Sequence, residues 1–229
     1  LGIDADGEAR IGNVRIHVTA HPPGYKHEKQ IHRVNTHRDT PQIALFTKRF
    51  ASSTRTRAGG VEVVLDMQEK LRPNGTKTVK VLKVRKGGGD TRLRSGQAVL
   101  SVKNPSHKWV YKLKVGQKFP LKTQVVKKVN DRCGGIIEPA TNWAKITEAL
   151  GGNHFSLRHG KNAAPSGKEY PEGAERHPRT GVGITDDGTV LMATVDGRRT
   201  KSRGVTIKEM GQLFKSLGAR HAFNLDGGG

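Results

Sequence analysis

The stretch HPRTGVGITDDGTVLMATVDGR (residues 177–198) predicts two β-strands joined by a tight turn. The segments TGVGIT and TVLMATVDG lie on either side of Asp186, Asp187 and Gly188. An Asp-Gly pair between two apolar segments is a strong signal for the turn of a β-hairpin. We therefore expect an antiparallel pair of strands here, and the interpretation of the flanking sequence starts from it.

The residues after the hairpin predict a capped helix and then a buried strand. In VTIKEMGQLFKSLG (residues 205–218), Thr206 and Glu209 have the spacing of a capping box, and the apolar residues recur at helical intervals. Gly218 supplies the left-handed residue that commonly follows a helix. The short apolar run AFNL (residues 222–225) then predicts a buried strand.

The N-terminal half predicts mainly strands, as short segments rich in Val, Ile and Leu that are separated by Gly, Pro or Asn. These segments are Val14–Thr19 and, from residue 42 onward, QIALFT, GVEVVLD, TVKVLKV, QAVLSV and LKTQVV. Residues 1–30 are expected to form an N-terminal extension or the first strand.

A second helix is expected in TNWAKITEALGG (residues 141–152), where Trp143, Ile146 and Leu150 fall on one face and Gly151 ends the pattern. Helices and strands do not alternate regularly along the chain. The sequence therefore predicts an α+β fold, with a mixed, mostly antiparallel β-sheet and two main helices in a single domain.

The composition is strongly basic. The 229 residues include 41 Lys and Arg against 20 Asp and Glu, a formal net charge of +21, which favours anionic partners such as nucleic acid, an anionic glycan or a phosphorylated substrate. The low aromatic content argues against sequence-specific reading of nucleic acid. No apolar run approaches the roughly 18 residues of a membrane helix, so no membrane span is expected. The single cysteine, Cys133, excludes an intrachain disulfide.

Three polar clusters lie at the ends of predicted strands, where a rigid scaffold commonly displays functional groups. They are Arg179 and Thr180 before the hairpin, Asp196, Gly197, Arg198 and Ser202 after it, and Asn224, Asp226, Gly227, Gly228 and Gly229 after the last strand. Glycines after Asp226 allow backbone N–H groups to turn toward one point, which forms a nest for an anion such as phosphate. The carboxylate beside such a nest could act as a base, a nucleophile or a metal ligand. An ordinary structural turn is the alternative for each cluster.

Taken together, the hairpin stretch, SRGVT, the capped helix, LGA and NLDGGG resemble the phosphodiester glycosidase domain family, to which the uncovering enzyme, N-acetylglucosamine-1-phosphodiester α-N-acetylglucosaminidase, belongs. Weaker similarity in VNTHRDTPQIALFTKRFASSTRTRAGGVEVVL, SGQAVLSV and WAKITEALGGNHFSLRHGK extends the resemblance over residues 31–229. The family often has Ala where this chain has Gly181. The family pattern also continues beyond NLDGGG with serine and another strand, so we expect the domain at 31–229 to be C-terminally incomplete.

The resemblance implies a hydrolase that cleaves a sugar-1-phosphodiester at the anomeric carbon, in a phosphate-linked glycan or glycoconjugate. It also implies an extracytoplasmic or secreted location, with the cytoplasm as the alternative. Because the leaving phosphomonoester is already a stabilised anion, such a site needs a cationic clamp and a carboxylate more than a strong acid. The alternative function is a non-catalytic module on the same scaffold that binds a polyanion, either a teichoic-acid-like polymer or nucleic acid.

The resemblance also implies roles for individual residues. Asp226 is the carboxylate expected nearest the reaction, and Asp196 is a second carboxylate or a structural support. Arg179 and Arg198 are expected to hold phosphate, with backbone donors added by the three glycines after Asp226. The residues expected to orient the substrate or close the cleft are Thr180, Ser202, Asn224, Asn35 and Arg38. The resemblance assigns no definite cofactor. A divalent-cation site at Asp196 is the alternative, since oxygen ligands near phosphate suit such an ion.

Overall fold

The computed structural model describes residues 1–37, 42–68, 71–103, 105–127 and 140–225 of the chain. Strands dominate these ranges, and only one helix is longer than a single turn. The strands are β1 (Gly2–Asp4), β2 (Ala9–Arg10), β3 (Val14–Ala20), β4 (Lys29–Ile31), β5 (Arg33–Val34), β6 (Ala44–Thr47), β7 (Val61–Asp66), β8 (Gly75–Lys86), β9 (Gln97–Val102), β10 (Lys118–Lys127), β11 (Ile146–Ala149), β12 (His154–Arg158), β13 (Lys161–Asn162), β14 (Arg179–Thr185), β15 (Val190–Val195) and β16 (Ala219–Asn224). The helices are α1 (Lys108–Tyr111), α2 (Pro171–Ala174) and α3 (Ile207–Ser216).

The chain forms two compact units, which are described separately. The central unit is Val14–Ala144, and the terminal unit combines Leu1–Asn13 with the chain from Lys145 onward. Within the described ranges, no helix has both the length and the apolar character needed to cross a membrane.

The central unit is built on an eight-stranded sheet in the order β4-β3-β10-β8-β7-β9-β6-β5. All neighbouring strands are antiparallel except β5 and β6, which are parallel. Successive side chains of a strand point to opposite faces, and this sheet buries apolar residues on both. The main core includes Leu45, Val63, Leu65, Val81, Leu100 and Trp109 on one face. A smaller cluster of Ala44, Phe46, Val64, Leu93 and Val99 lies on the other face.

The terminal unit contains a five-stranded antiparallel sheet in the order β13-β12-β16-β14-β15, and a small sheet in the order β11-β1-β2. Helix α3 packs on the five-stranded sheet through Met210 and Phe214. The sheet accommodates this helix because β14 carries glycine at two positions beneath it. A Cβ atom at Gly181 would lie 2.7 Å from the ring of Phe214, and one at Gly183 would lie 2.6 Å from it. The close packing of this phenylalanine accounts for glycine, rather than alanine, at residue 181.

The predicted cap of α3 is confirmed. The backbone N–H of Glu209 donates to Thr206 Oγ1 at 3.1 Å, and the N–H of Thr206 donates to Glu209 Oε2 at 2.9 Å. Gly218 follows the helix with a φ of +85°, the left-handed conformation in which glycine avoids the strain of a side chain. The hairpin is also confirmed, since β14 and β15 pair in register on either side of the Asp186–Gly188 turn.

The predicted helix at residues 141–152 is wrong. Thr141–Trp143 forms a single 3₁₀ turn, and Ile146–Ala149 is strand β11, which pairs with β1. Ile146 is buried, whereas Leu150, expected on the same helical face, is exposed. A short apolar pattern does not distinguish a helix from a strand, and here pairing with β1 decides. The mostly antiparallel, mixed arrangement is confirmed, but the fold is richer in strands than a balanced α+β protein.

Candidate active site

The register of the five-stranded sheet brings the described members of the three predicted polar clusters to one end of four neighbouring strands. Arg179 begins β14 opposite Val195, which ends β15. Asn224, which ends β16, lies opposite Gly181 and opposite His154, which begins β12. The N–H of Leu225 then donates to the carbonyl of Thr180 at 2.9 Å. We call this end of the sheet the site edge, comprising His154, Arg179, Thr180, Asp196 and Asn224.

Arg179 is a buried cation held by neutral groups. Its Nε donates to the carbonyl of Val205 at 2.7 Å, and its Nη2 donates to the carbonyls of Glu172 at 2.8 Å and Glu175 at 3.0 Å. Its residue surface is only 7% exposed. Burial lowers the pKa of Arg179, and the nearby Tyr170 opposes this shift. An arginine nevertheless stays protonated at neutral pH. Within the ranges that the structure describes, no carboxylate pairs with this charge, so Arg179 creates a positive potential at the site edge.

Asn224 is buried and has an unused acceptor. Its Nδ2 donates to Asn153 Oδ1 at 3.1 Å and to the carbonyl of Leu225 at 2.7 Å, which fixes the orientation of the amide. Its Oδ1 is buried and has no hydrogen-bond partner among the described residues. A buried acceptor without a partner costs roughly 1–3 kcal/mol, so such an atom commonly marks a position where a ligand or water donates.

The loop after β15 is closed by the sequence-predicted Ser202. Its Oγ donates to the carbonyl of Asp196 at 2.5 Å, and residues 199 and 202 exchange two backbone hydrogen bonds. The loop lies against the chain at His177 and Pro178. A Cβ atom at Gly197 would lie 2.4 Å from the nitrogen of Pro178, and one at Gly204 would lie 2.3 Å from the carbonyl oxygen of His177. Glycine is therefore required at both crossings.

Asp196 and Arg198, the two charged residues of this loop that were predicted to act in the site, are exposed. The Asp196 carboxylate lies 3.8 Å from Arg199 Nη1, as a solvent-exposed ion pair. Arg198 has a φ of +56°, and its Nη2 lies 3.5 Å from His177 Nδ1. The backbones of His177 and Val205 are hydrogen-bonded to each other. Arg198 contacts His177, and Arg179 bonds to the carbonyl of Val205, so both arginines lie at this pair of residues. The structure thus brings both predicted phosphate-binding arginines to the same part of the site edge.

Two aromatic residues at the site edge were missed by the sequence interpretation. The ring of His154 stacks on the ring of Tyr170, with centroids 4.3 Å apart, and the Tyr170 hydroxyl donates to Glu172 Oε2 at 3.2 Å. His154 follows the segment that was assigned to a helix, and Tyr170 lies in a polar stretch interpreted as a loop. The signal that could have located His154 is its position at the start of the apolar strand HFSLR.

The structure does not test every predicted position. Asp226, Gly227, Gly228, Gly229 and Arg38 lie outside the described residues, as does Cys133. Asn35 belongs to the central unit. It has a φ of +50°, and its Oδ1 accepts from the N–H and hydroxyl of Thr47 at 2.8 and 3.1 Å. This side chain therefore joins the residue that follows β5 to the last residue of β6. In the described ranges, no three His, Cys, Asp or Glu side chains cluster as a metal site would require.

Comparison with known proteins defines the class. Residues 68–229 match the family model of the phosphodiester glycosidases, and the protein belongs to this family. A shorter segment of 54 residues is 50% identical to the SPbeta prophage-derived uncharacterized protein YomE of Bacillus subtilis (strain 168). That segment is 24% of this chain and 8% of YomE.

Two solved structures share the fold across nearly the whole chain. A hypothetical protein from Synechocystis matches with a TM-score of 0.59 and 15% identity, over 99% of this chain and 39% of that protein. The "Putative exported protein" of Burkholderia pseudomallei K96243 matches with a TM-score of 0.63 and 17% identity, over 100% of this chain and 51% of that protein. The chain thus spans about half or less of the length of these relatives. At such low identity, the similarity shows the fold alone.

Proposed function

We propose that the protein hydrolyses a sugar-1-phosphodiester in a phosphate-linked glycan or glycoconjugate. Membership of the phosphodiester glycosidase family supports the reaction class. The observation that carries the proposal is the buried Arg179 at the site edge, whose hydrogen-bond partners are neutral carbonyls and which has no carboxylate partner in the described part of the chain. An uncompensated buried cation favours an anionic ligand, because a buried charge needs a countercharge.

In the proposed reaction, a water oxygen forms a bond to the anomeric carbon, and the bond between that carbon and the phosphate oxygen breaks. The phosphomonoester leaves with the bonding electron pair and takes up the proton that the attacking water loses, so the products are the free sugar and the singly protonated phosphomonoester. Arg198, whose guanidinium group is exposed, binds the phosphate, and Arg179 supplies a fixed positive potential. Asp226 is the proposed carboxylate at the anomeric carbon, where it stabilises the oxocarbenium-like transition state. Asp196 is the second proposed carboxylate.

The unused Oδ1 acceptor of Asn224 adds a specificity element to this proposal. An acceptor at the end of β16 can bind a sugar hydroxyl or the attacking water. Thr180 and Ser202 are proposed to support the substrate and the loop. An extracytoplasmic location remains part of the proposal, and the exported relative from Burkholderia pseudomallei is consistent with it.

The test is hydrolysis of an N-acetylglucosamine-1-phosphate methyl diester in water enriched in ¹⁸O. Phosphorus NMR follows conversion of the diester to methyl phosphate, and mass spectrometry locates the label. A glycosidase places ¹⁸O on the sugar, because water attacks carbon. A phosphodiesterase would place it on the phosphate. Related diesters of other sugars extend the survey if the first is not turned over.

The catalytic assignment is tested with Asp226→Asn and Asp196→Asn, and the matched control is Asp186→Asn. Asp186 is an exposed aspartate in the turn at the other end of the same hairpin, where it pairs with Arg220. We expect Asp226→Asn to reduce kcat by about 10³-fold or more, and the control to retain near-normal activity. Label appearing on phosphate, or full activity in Asp226→Asn, would contradict the proposal.

A further inference from the structure

A second charged region lies in the central unit, on the face of the eight-stranded sheet that carries the smaller apolar cluster. A pocket of about 400 Å³ opens there, and its lining residues are Val64, Leu82, Lys83, Arg85, Thr91, Arg92, Arg94 and Gln97. Half of these residues are cations and none is acidic. This concentration of positive charge shares no residue with the site edge, so it requires a separate explanation.

A β-bulge shapes the floor of this pocket. Val64 pairs with Lys83, but the next residue of β7, Leu65, pairs with Val81, so Leu82 is an extra residue on β8. The bulge exposes two consecutive side chains, Leu82 and Lys83, directly after residues 78–81, where exposed and buried side chains alternate. Leu82 is 38% exposed and forms an apolar floor beside Val64. The bulge thus places an apolar surface directly beside a cation.

One wall of the pocket is built on a buried carboxylate, Glu62. It is fully buried and accepts hydrogen bonds from the hydroxyls of Thr54, Thr56 and Ser101 at 2.7 to 3.0 Å, and from the N–H and hydroxyl of Thr91. Arg85 Nη1 lies 3.7 Å from Glu62 Oε2, and it also donates to Thr91 Oγ1. The network therefore holds Arg85 and the segment after it in place, and it neutralises the charge of Arg85 alone.

The other three cations lack such compensation. In the parts of the chain that the structure describes, Lys83, Arg92 and Arg94 have no acidic partner, and all three side chains are exposed. They line one pocket, so the repulsion between them, which water and salt screen only in part, is further reduced when an anion binds there. A single phosphodiester group carries one negative charge and would leave two of the three cations unpaired.

We propose that this pocket binds a phosphodiester-linked polyol or sugar chain through at least two successive phosphate groups. The exposed cations bind the phosphates, and Val64 and Leu82 contact the uncharged carbon atoms between them. In such a chain, charged phosphates alternate with uncharged carbon units, and the pocket correspondingly has cationic side chains beside an apolar floor. Single-stranded nucleic acid fits less well, because proteins that bind it stack bases on aromatic side chains and this pocket has none. The proposal does not depend on catalysis at the site edge.

The experiment measures binding of a fluorescently labelled, synthetic glycerol-phosphate hexamer to the full chain by anisotropy. The site variant is Lys83→Gln with Arg92→Gln and Arg94→Gln. The matched control is Lys112→Gln with Lys114→Gln and Lys118→Gln, which removes the same charge from exposed lysines of the same unit that do not line the pocket. At 0.1 M salt we expect the site variant to lose about 100-fold in affinity and about two units of salt slope, because each phosphate contact contributes roughly 0.7 to the slope. The control should lose only a few-fold.

A measurement on the unmodified protein avoids dependence on the folding of variants. Titration of the hexamer should shift the methyl NMR signals of Leu82 and Val64, and inorganic phosphate alone should do so only at much higher concentration. Equal loss of affinity in the two triple variants, or unshifted methyl signals at saturation, would overturn the proposal, because binding would then follow net charge. A labelled thymidine hexanucleotide that binds as tightly, with the same dependence on Lys83, Arg92 and Arg94, would overturn the assignment of the ligand.

Failure here is distinguishable from failure of the proposed function. Hexamer binding with no turnover of any sugar-1-phosphodiester would support this pocket and count against the hydrolase. Turnover of small diesters with no hexamer binding would support the hydrolase and count against this pocket.

Discussion

Each unit holds an arginine within a hydrogen-bond network, Arg85 in the central unit and Arg179 in the terminal unit. Among the residues that the structure describes, Arg85 has a carboxylate partner and Arg179 has none. In the central unit, Arg85 lies 3.7 Å from the buried carboxylate of Glu62, and the two share Thr91. In the terminal unit, Arg179 is bonded to three backbone carbonyls. The first arrangement is complete in itself and stabilises the fold. The second has no countercharge in the described part of the chain, which is the arrangement expected where an anion binds.

Within this comparison, the largest effect on activity is expected when the charge of Arg179 is removed, because its removal tests whether Arg179, unlike Arg85, serves an anionic ligand. We expect Arg179→Gln to lower kcat/KM for a sugar-1-phosphodiester by about 10²–10³-fold, because a preorganised electrostatic contact is lost. Arg179→Lys keeps the charge and should retain more activity than Arg179→Gln. The control is Arg176→Gln, which removes an exposed arginine of the same segment that pairs with Glu209. Equal activity of the Lys and Gln variants would show that Arg179 serves the fold alone.

The next largest effect is expected from Glu62→Gln. The new amide would face the N–H and hydroxyl of Thr91 with a donor, and Arg85 would lose its countercharge. We expect the free energy of unfolding, measured with urea, to fall by about 3 kcal/mol, as is typical when one partner of a buried pair is removed. Glu28→Gln is the control, because that exposed carboxylate accepts a hydrogen bond from Thr19. A loss no larger than that of the control would mean that Glu62 is neutral in the folded protein.

The pH dependence of stability gives a finer test of the same carboxylate. Burial alone would raise the pKa of Glu62, but hydrogen bonds from Thr91, Thr56, Thr54 and Ser101 outweigh it and hold the pKa below the ordinary value of 4.5. A lowered pKa stabilises the fold fully above that value, and the contribution is lost as the pH falls through the pKa of the folded state. Urea midpoints at pH 7, 5, 4 and 3 should therefore converge for wild type and Glu62→Gln below about pH 4.5. A difference in urea midpoint that stays constant from pH 7 to pH 3 would show that Glu62 does not titrate in this range.

The smallest effect is expected at the loop of the site edge. Ser202→Ala removes the hydrogen bond to the carbonyl of Asp196 and should cost about 1 kcal/mol of stability. It should also raise KM a few-fold, because Arg198 and Asp196 are then less well positioned. Ser216→Ala is the control, since that hydroxyl makes a comparable bond to the carbonyl of Leu213 at 2.8 Å outside the site edge. A change in KM of equal size in both variants would show that the hydrogen bond of Ser202 has no specific role in substrate binding.

The parts of the fold that could be predicted from sequence are those fixed by local interactions. The cap of α3 is set by Thr206 and Glu209, and the hairpin by the turn at Asp186–Gly188, so both were recognisable as patterns. The apolar spacing at residues 141–152 suggested a helix, but pairing of Ile146–Ala149 with β1 depends on residues far away in the sequence. Local propensity carries no information about that partner.

The candidate site shows the same division. Sequence gave the polar residues at strand ends, and the register of β14, β15 and β16 brings Arg179, Asp196 and Asn224 to one edge. The stacked pair of His154 and Tyr170 could not be foreseen, since it joins two segments across the sheet. Glu62 lies between two valines in the strand VEVVLD, and an acidic residue in that position was an available signal of a buried network. Its donors lie in two separate loops and on strand β9, and only the folded chain brings them together.

The backbone crossing at Gly197 and Gly204 limits how this family member can diversify. Both ends of the loop are fixed by contact with His177 and Pro178, so neither tolerates a larger residue without moving the chain. The tip, which contains Thr200 and Lys201, has no such constraint and is exposed. For the hydrolase function proposed above, we therefore expect changes in preference among sugars or leaving groups to arise at the tip, while the loop ends keep Asp196 and Arg198 in place.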